Sequence, residues 1–229
     1  MREAVVLLSG GLDSAVTLYF AKKRRFRCHC LIFDYGQRHK REIESAKKIA
    51  IKANCPYRIL KINLPWKGSS LLNRRLEIPG GTKAPRRQGT SGIPSTYVPG
   101  RNIIFLSFAL SYAETIGAEV IFIGANSIDF SGYPDCRPEF YRVFRKVIAA
   151  GTKAGVEKRE IKVETPLIRK TKAQIIRLGK QLGVPFELTW SCYRGGQAPC
   201  GNCDSCYFRA KGFLETGILD PLLKGHPLR

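Results

Sequence analysis

The chain has 229 residues, of which 25% are charged, and 39 Lys and Arg against 18 Asp and Glu give a formal net charge of +21. That length suits one α/β domain, with or without an appendage, and leaves little room for a second catalytic domain. No run approaches the roughly 18 apolar residues of a membrane span, and the apolar stretch before Ser9 is too short for a secretory signal, so a cytoplasmic protein without membrane partners is expected.

Residues 4–8 read as a strand that delivers the run Ser9-Gly10-Gly11-Leu12-Asp13-Ser14 to a helix over 14–23. Two glycines let backbone approach an anion closely, and Ser9 and Ser14 add hydroxyl donors. Asp13 or Ser14 is expected to cap the helix, whose unpaired first-turn N–H groups and positive dipole end suit a pyrophosphate. The run lacks the terminal glycine-lysine-serine/threonine of a Walker loop and the third glycine of a dinucleotide fingerprint. Ser-Gly-Gly-Leu-Asp-Ser resembles instead the pyrophosphatase-type loop of enzymes that split ATP into AMP and pyrophosphate. By itself that loop specifies only a superfamily, and a plain glycine turn is its bland alternative.

The rhythm continues with a strand over 28–33, a helix over 40–53 and a strand over 57–62, which favours a parallel sheet with helices on both faces. Residues 63–100 break it with glycine, proline, serine and basic residues. So long a connection is read as a mobile cover over the site, with disorder the alternative. After Arg101-Asn102 a helix over 103–117 is expected, then a strand over 120–123, a loop over 125–137, a helix over 138–151 and a strand over 161–163. The last helix of the sheet domain spans 171–182, with Thr171 as N-cap and Gly183 as stop. The expected fold is a doubly wound, mostly parallel α/β sheet domain over 1–185, with a cysteine-bearing segment and C-terminal helix over 186–229. Ligands in such sheets bind beyond the carboxyl ends of the strands.

Cys192, Cys200, Cys203 and Cys206 are spaced C-x7-C-x2-C-x2-C. Four thiolates so close can wrap one tetrahedral zinc and fill its shell, which makes the metal structural. An iron-sulfur cluster also takes four thiolates, and two disulfides are a third reading that a cytosolic setting disfavours. Cys28, Cys30 and Cys55 are expected to pack as small apolar residues.

With loop and cysteines in hand, the chain resembles the 7-cyano-7-deazaguanine synthase family of the queuosine and archaeosine precursor pathway nearly from end to end. The resemblance runs through Ser9 to Ser14, Asp34-Tyr35-Gly36-Gln37-Arg38-His39, Val98-Pro99-Gly100-Arg101-Asn102, Ser131-Gly132-Tyr133-Pro134-Asp135-Cys136-Arg137, Thr165-Pro166-Leu167 and Ser191-Cys192-Tyr193 with the remaining cysteines. The strings at 34–39 and 131–137 are the most particular, and the lysine- and arginine-rich stretch 83–92 departs from the pattern. The resemblance implies ATP, 7-carboxy-7-deazaguanine and ammonia as substrates, magnesium with the ATP, a zinc, and a homodimer. It implies catalytic Asp13, Asp34 and Arg101. Leu8, Ser9, Gly10, Gly11, Leu12, Asp13, Ser14 and Arg38 would bind nucleotide, while Tyr133, Asp135 and Arg137 would bind the deazaguanine. A lone histidine such as His39 more often packs or hydrogen-bonds, so it is given no general-base role. A pyrophosphatase-loop synthetase acting directly on tRNA would explain the charge, but would need an RNA-binding appendage or a sulfur-transfer cysteine pair. A zinc-ribbon RNA-binding protein would leave the intact loop unexplained.

Overall fold

The computed structural model describes residues 1–66, 68–80, 92–128 and 132–223. Most of the basic stretch 83–92, and Ser131, lie outside them. Five strands, β1 (Arg2–Leu7), β2 (Phe26–Asp34), β3 (Tyr57–Lys61), β4 (Val120–Ile123) and β5 (Lys162–Glu164), form one sheet in the order β3-β2-β1-β4-β5. Every pairing is parallel, with Val6 of β1 beside Cys30 of β2 and Phe122 of β4. The helices are α1 (Leu12–Lys23), α2 (Arg41–Lys52), α3 (Arg101–Ile116), α4 (Pro138–Gly151), the short α5 (Lys153–Val156), α6 (Lys172–Gln181) and α7 (Asp204–Thr216). The alternation read from sequence thus gives the expected doubly wound sheet, with element ends shifted by a few residues.

Val5 and Val6 of β1 are fully buried because the strand is covered on both sides. Ala4, Val6 and Leu8 face a core built with α1, α2, α6 and Phe213 of α7. Val5 and Leu7 face a second core with Leu106 and Ala109 of α3 and Tyr141 and Phe144 of α4. Side chains alternate across a strand, so an unbroken apolar run is what a strand at the centre of two layers requires. Cys28, Cys30 and Cys55 pack in the first core, as expected. The sheet reverses its winding between β1 and β4, and the loops after those strands open the crevice there.

The long connection after β3 is packed where it is described. Leu64, Leu71 and Val98 join the second core, Ile78 joins the cysteine cluster, and Gly80 forms an antiparallel bridge with Cys203. Residues 81–91, where a mobile cover was also expected, lie outside the described residues. At α6 the Thr171 N-cap is present in full: its hydroxyl accepts from Gln174 N at 3.3 Å while Gln174 Oε1 accepts from Thr171 N at 2.9 Å. The capping expectation at α1 is overturned. Gly11 occupies the N-cap position with no side-chain bond, and Asp13 and Ser14 lie inside the first turn.

Gly10 has φ +86°, and a Cβ there would overlap the carbonyl oxygen of Glu42 and lie 2.7 Å from Ala46 N, both backbone atoms of α2. Neither can yield without moving the helix. A Gly10→Ala variant is therefore expected to lose at least about 2 kcal/mol from the combined left-handed strain and overpacking. Denaturant unfolding checks this, a loss within error of zero being the contrary result.

Candidate active site

Beyond the carboxyl ends of β1, β2 and β4 lies a cavity of about 240 Å³. Its walls include the phosphate-type loop, Arg38 and His39, Glu42 of α2, Arg101 and Phe105 of α3, Tyr133, Lys172 of α6, and Trp190 and Tyr193 beside the cysteine cluster.

The loop is built by its own hydroxyls. Ser9 Oγ accepts from Gly11 N at 3.3 Å and donates to Ser14 Oγ at 3.0 Å, and Ser14 Oγ donates to the Gly11 carbonyl at 2.9 Å. Leu8, Ser9, Gly11, Leu12, Asp13 and Ser14 line the cavity. Gly10 does not, because it is turned onto α2, and its carbonyl accepts from Trp190 N at 2.9 Å. On the other side, a Cβ on Gly124 at the end of β4 would come within 3.0 Å of Asp13 and Ser14 backbone. The first turn of α1 is thereby packed tightly against the end of β4 where it borders the cavity.

Asp13 receives Lys172 Nζ at 2.8 Å on each carboxylate oxygen, and both side chains are largely buried. Sequence reasoning missed Lys172. A cation in the first turn of a helix opposes the dipole, and that mismatch beside the Thr171 cap was the available signal.

Arg101 opens α3 as expected, after Gly100 at φ +64°. Its Nη1 donates to Tyr35 Oη at 3.3 Å. Burial works against its charge, but Tyr35, Tyr133 and Asp135 hold the guanidinium's pKa above the usual value. Asp135 itself is buried under α3. Its carboxylate accepts from Asn102 N at 3.1 Å and its carbonyl from Asn102 Nδ2 and Tyr141 Oη. Burial raises the carboxyl above its ordinary range, against the Asn102 N–H and Arg101. It therefore steadies the start of α3 and sets Arg101, and it lies outside the cavity lining.

Two further expected site residues also lie away from the cavity. Asp34 points to the opposite face of the sheet from Phe33 and pairs with the exposed Lys40 at 3.4 Å. Arg137 is exposed and occupies the N-cap position of α4. Arg38 does line the cavity, but its guanidinium donates to the carbonyls of Ser70, Arg74 and Leu76, so it staples the long connection. Tyr133 lines the cavity and bonds Thr96 through its hydroxyl.

Sequence reasoning also missed Glu42. It lies in the first turn of α2 and faces the cavity; burial pushes its carboxyl up to about 7, Arg101 pulling down and Cys192 adding to the rise. An acid at a helix start carries an ordinary dipole explanation, so the sequence held no signal for it.

The four cysteine sulfurs of Cys192, Cys200, Cys203 and Cys206 all lie within 4.8 Å of one another, with 4.0 Å between Cys200 and Cys206. Thiolates about 2.3 Å from a tetrahedral metal stand about 3.8 Å apart, so the set fits one metal ion. No disulfide joins any of the eight cysteines. The knuckle is tied to the loop through α7. Buried Arg209 forks onto Asp220 and donates to Thr189, Ser191 and the Phe186 carbonyl, fixing the segment that carries Trp190.

The queuosine biosynthesis protein QueC family model matches residues 3–217. The chain belongs to that family. It is 48% identical over 223 residues to the 7-cyano-7-deazaguanine synthase of Nostoc punctiforme, spanning 96% of this chain and 99% of the relative. It is 49% identical over 221 residues to the Thermoplasma acidophilum protein of the same name, spanning 96% and 91%. An NMN synthetase from Francisella tularensis shares the fold with a TM-score of 0.50 at 14% identity, covering 98% of this chain and 83% of that one. Within the described residues, no helix is long and apolar enough to cross a membrane.

Replacing Cys203 with Ala removes one of four ligands from a buried cluster. The variant is expected to lose bound metal from about one ion per chain and to melt at lower temperature. Elemental analysis and a thermal scan of the same sample check both, and an unchanged metal content contradicts the assignment.

Proposed function

We propose that this chain converts 7-carboxy-7-deazaguanine and ammonia into 7-cyano-7-deazaguanine at the expense of two ATP, as the carbon-nitrogen ligase its relatives are named for. A carboxylate resists ammonia because its oxygen leaves poorly. Transfer of AMP to that oxygen makes it a good leaving group; ammonia then forms the C–N bond of the amide as AMP departs. A second adenylation on the amide oxygen repeats the device, and loss of that AMP with the remaining nitrogen-bound proton gives the nitrile. Both oxygens of the acid leave on AMP.

The observation that carries this reading is that Ser9, Gly11 and the first-turn residues Leu12, Asp13 and Ser14 of α1 line a cavity that also holds Arg101 and an aromatic wall. Those N–H groups would hold the departing pyrophosphate without reorganising. Lys172, held beside the loop by Asp13, supplies a cation for the phosphates, and Arg101 a planar fork for the bound acid. Magnesium, when bound, would shield charge between phosphate oxygens, with Asp13 the carboxylate nearest to hold it. Tyr133 contributes apolar surface to the substrate cavity. The metal at the four cysteines is proposed to be zinc, structural because no coordination position remains open. The setting is proposed to be the cytoplasm, and a homodimer rests on the family resemblance alone.

The assay supplies ATP, ammonia and 7-carboxy-7-deazaguanine and follows AMP and product mass. Two AMP per nitrile are expected, with the product lighter than acid plus ammonia by two waters. Product that stops at the amide with one AMP contradicts the full reaction. Asp13→Ala is expected to lower kcat by about 100-fold or more while leaving zinc content unchanged, since it removes the carboxylate that holds Lys172 and would hold magnesium beside the phosphates, and leaves the knuckle alone. Turnover within threefold of the parent would remove Asp13 from the mechanism.

A further inference from the structure

Among the described residues the cavity wall carries two carboxylates, Asp13 and Glu42. Asp13 is engaged on both oxygens by Lys172 at the phosphate-loop end. Glu42 belongs to the adjoining wall, with Tyr35, Phe105, Trp190 and Tyr193 also lining the cavity. Phe105 meets Tyr35 edge-on at 5.3 Å and stacks on Phe33 at 4.0 Å, so that side is a rigid aromatic surface. Glu42 itself is not free to drift. Its helix is locked to the loop where Gly10 lies directly against the Glu42 carbonyl and Ala46 N.

Resting on the synthase reading, we propose that Glu42 is the specificity residue for the ring, accepting in parallel the two neighbouring N–H donors of a guanine-type edge. A guanine-type ring presents its N1–H and exocyclic 2-amino group side by side, and a carboxylate's two oxygens match that pair as they match an Arg fork. The flat faces of the ring take the aromatic wall. Arg101, facing the same cavity, remains available to the acid group. This assigns to Glu42 the recognition role that the sequence suggested for Asp135, whose carboxylate accepts from Asn102 N and lies outside the cavity lining.

The test compares 7-carboxy-7-deazaguanine with its analogue lacking the 2-amino group, on the parent protein and on Glu42→Gln, with ATP affinity and melting temperature measured for both proteins. The parent is expected to show a KM at least about tenfold lower for the guanine-type acid, the discrimination typical of one lost bidentate partner. In Glu42→Gln that preference is expected to fall to within threefold, through a raised KM for the guanine-type ring, with kcat and ATP affinity near the parent values. Equal KM values for the two rings on the parent overturn the proposal without needing the variant. A variant that keeps the preference and loses kcat also overturns it, placing Glu42 in proton transfer. Absence of turnover of the guanine-type acid by the parent is a different failure, because it removes the synthase reading itself.

Discussion

The bare backbone of Gly10 is the contact on which the rest of the site depends. It lies where a side chain would collide with α2, and its carbonyl takes the Trp190 amide from the cysteine-bearing segment. Three parts of the chain distant in sequence, the loop after β1, the start of α2 and the approach to the metal knuckle, therefore meet at one residue. The role is steric before it is chemical: Gly10 does not line the cavity, whereas Gly11, Leu12, Asp13 and Ser14 do.

The electrostatics follow from that packing. Close packing at Gly124 and the serine bonds of the loop fix the first turn of α1 at the crevice, where Arg101 adds formal positive charge and Lys172 is balanced by Asp13. Such a site is prepared for an anion before one arrives, which is the condition under which fixed dipoles stabilise a leaving pyrophosphate most effectively. Arg101 keeps its charge despite burial through Tyr35, Tyr133 and Asp135. The metal knuckle belongs to the same construction, since Arg209 on α7 fixes the segment that reaches Gly10.

The fold was legible because each strand and helix leaves a local period in the sequence, and because β1 is apolar on both faces. The phosphate loop and the cysteine cluster were legible because their residues are close neighbours in the chain. What the sequence concealed were contacts between distant segments. Asp34 and Asp135 sit in strings that resemble the family's most particular motifs, yet one is turned across the sheet to Lys40 and the other spent on the start of α3. Lys172 and Glu42 reach the cavity only through the packing of α6 on α1 and of α2 on Gly10. Arg38, expected as an anion ligand, has three of its guanidinium N–H groups engaged by carbonyls of the long connection.

The central claim is that the first turn of α1 receives the triphosphate. A crystal structure with a nonhydrolysable ATP analogue measures this directly. The account predicts β- and γ-phosphate oxygens within hydrogen-bond distance of the backbone N–H groups between Gly11 and Ser14, with Lys172 turned toward them. Phosphates seated elsewhere in the cavity, with those amides unengaged, would contradict it.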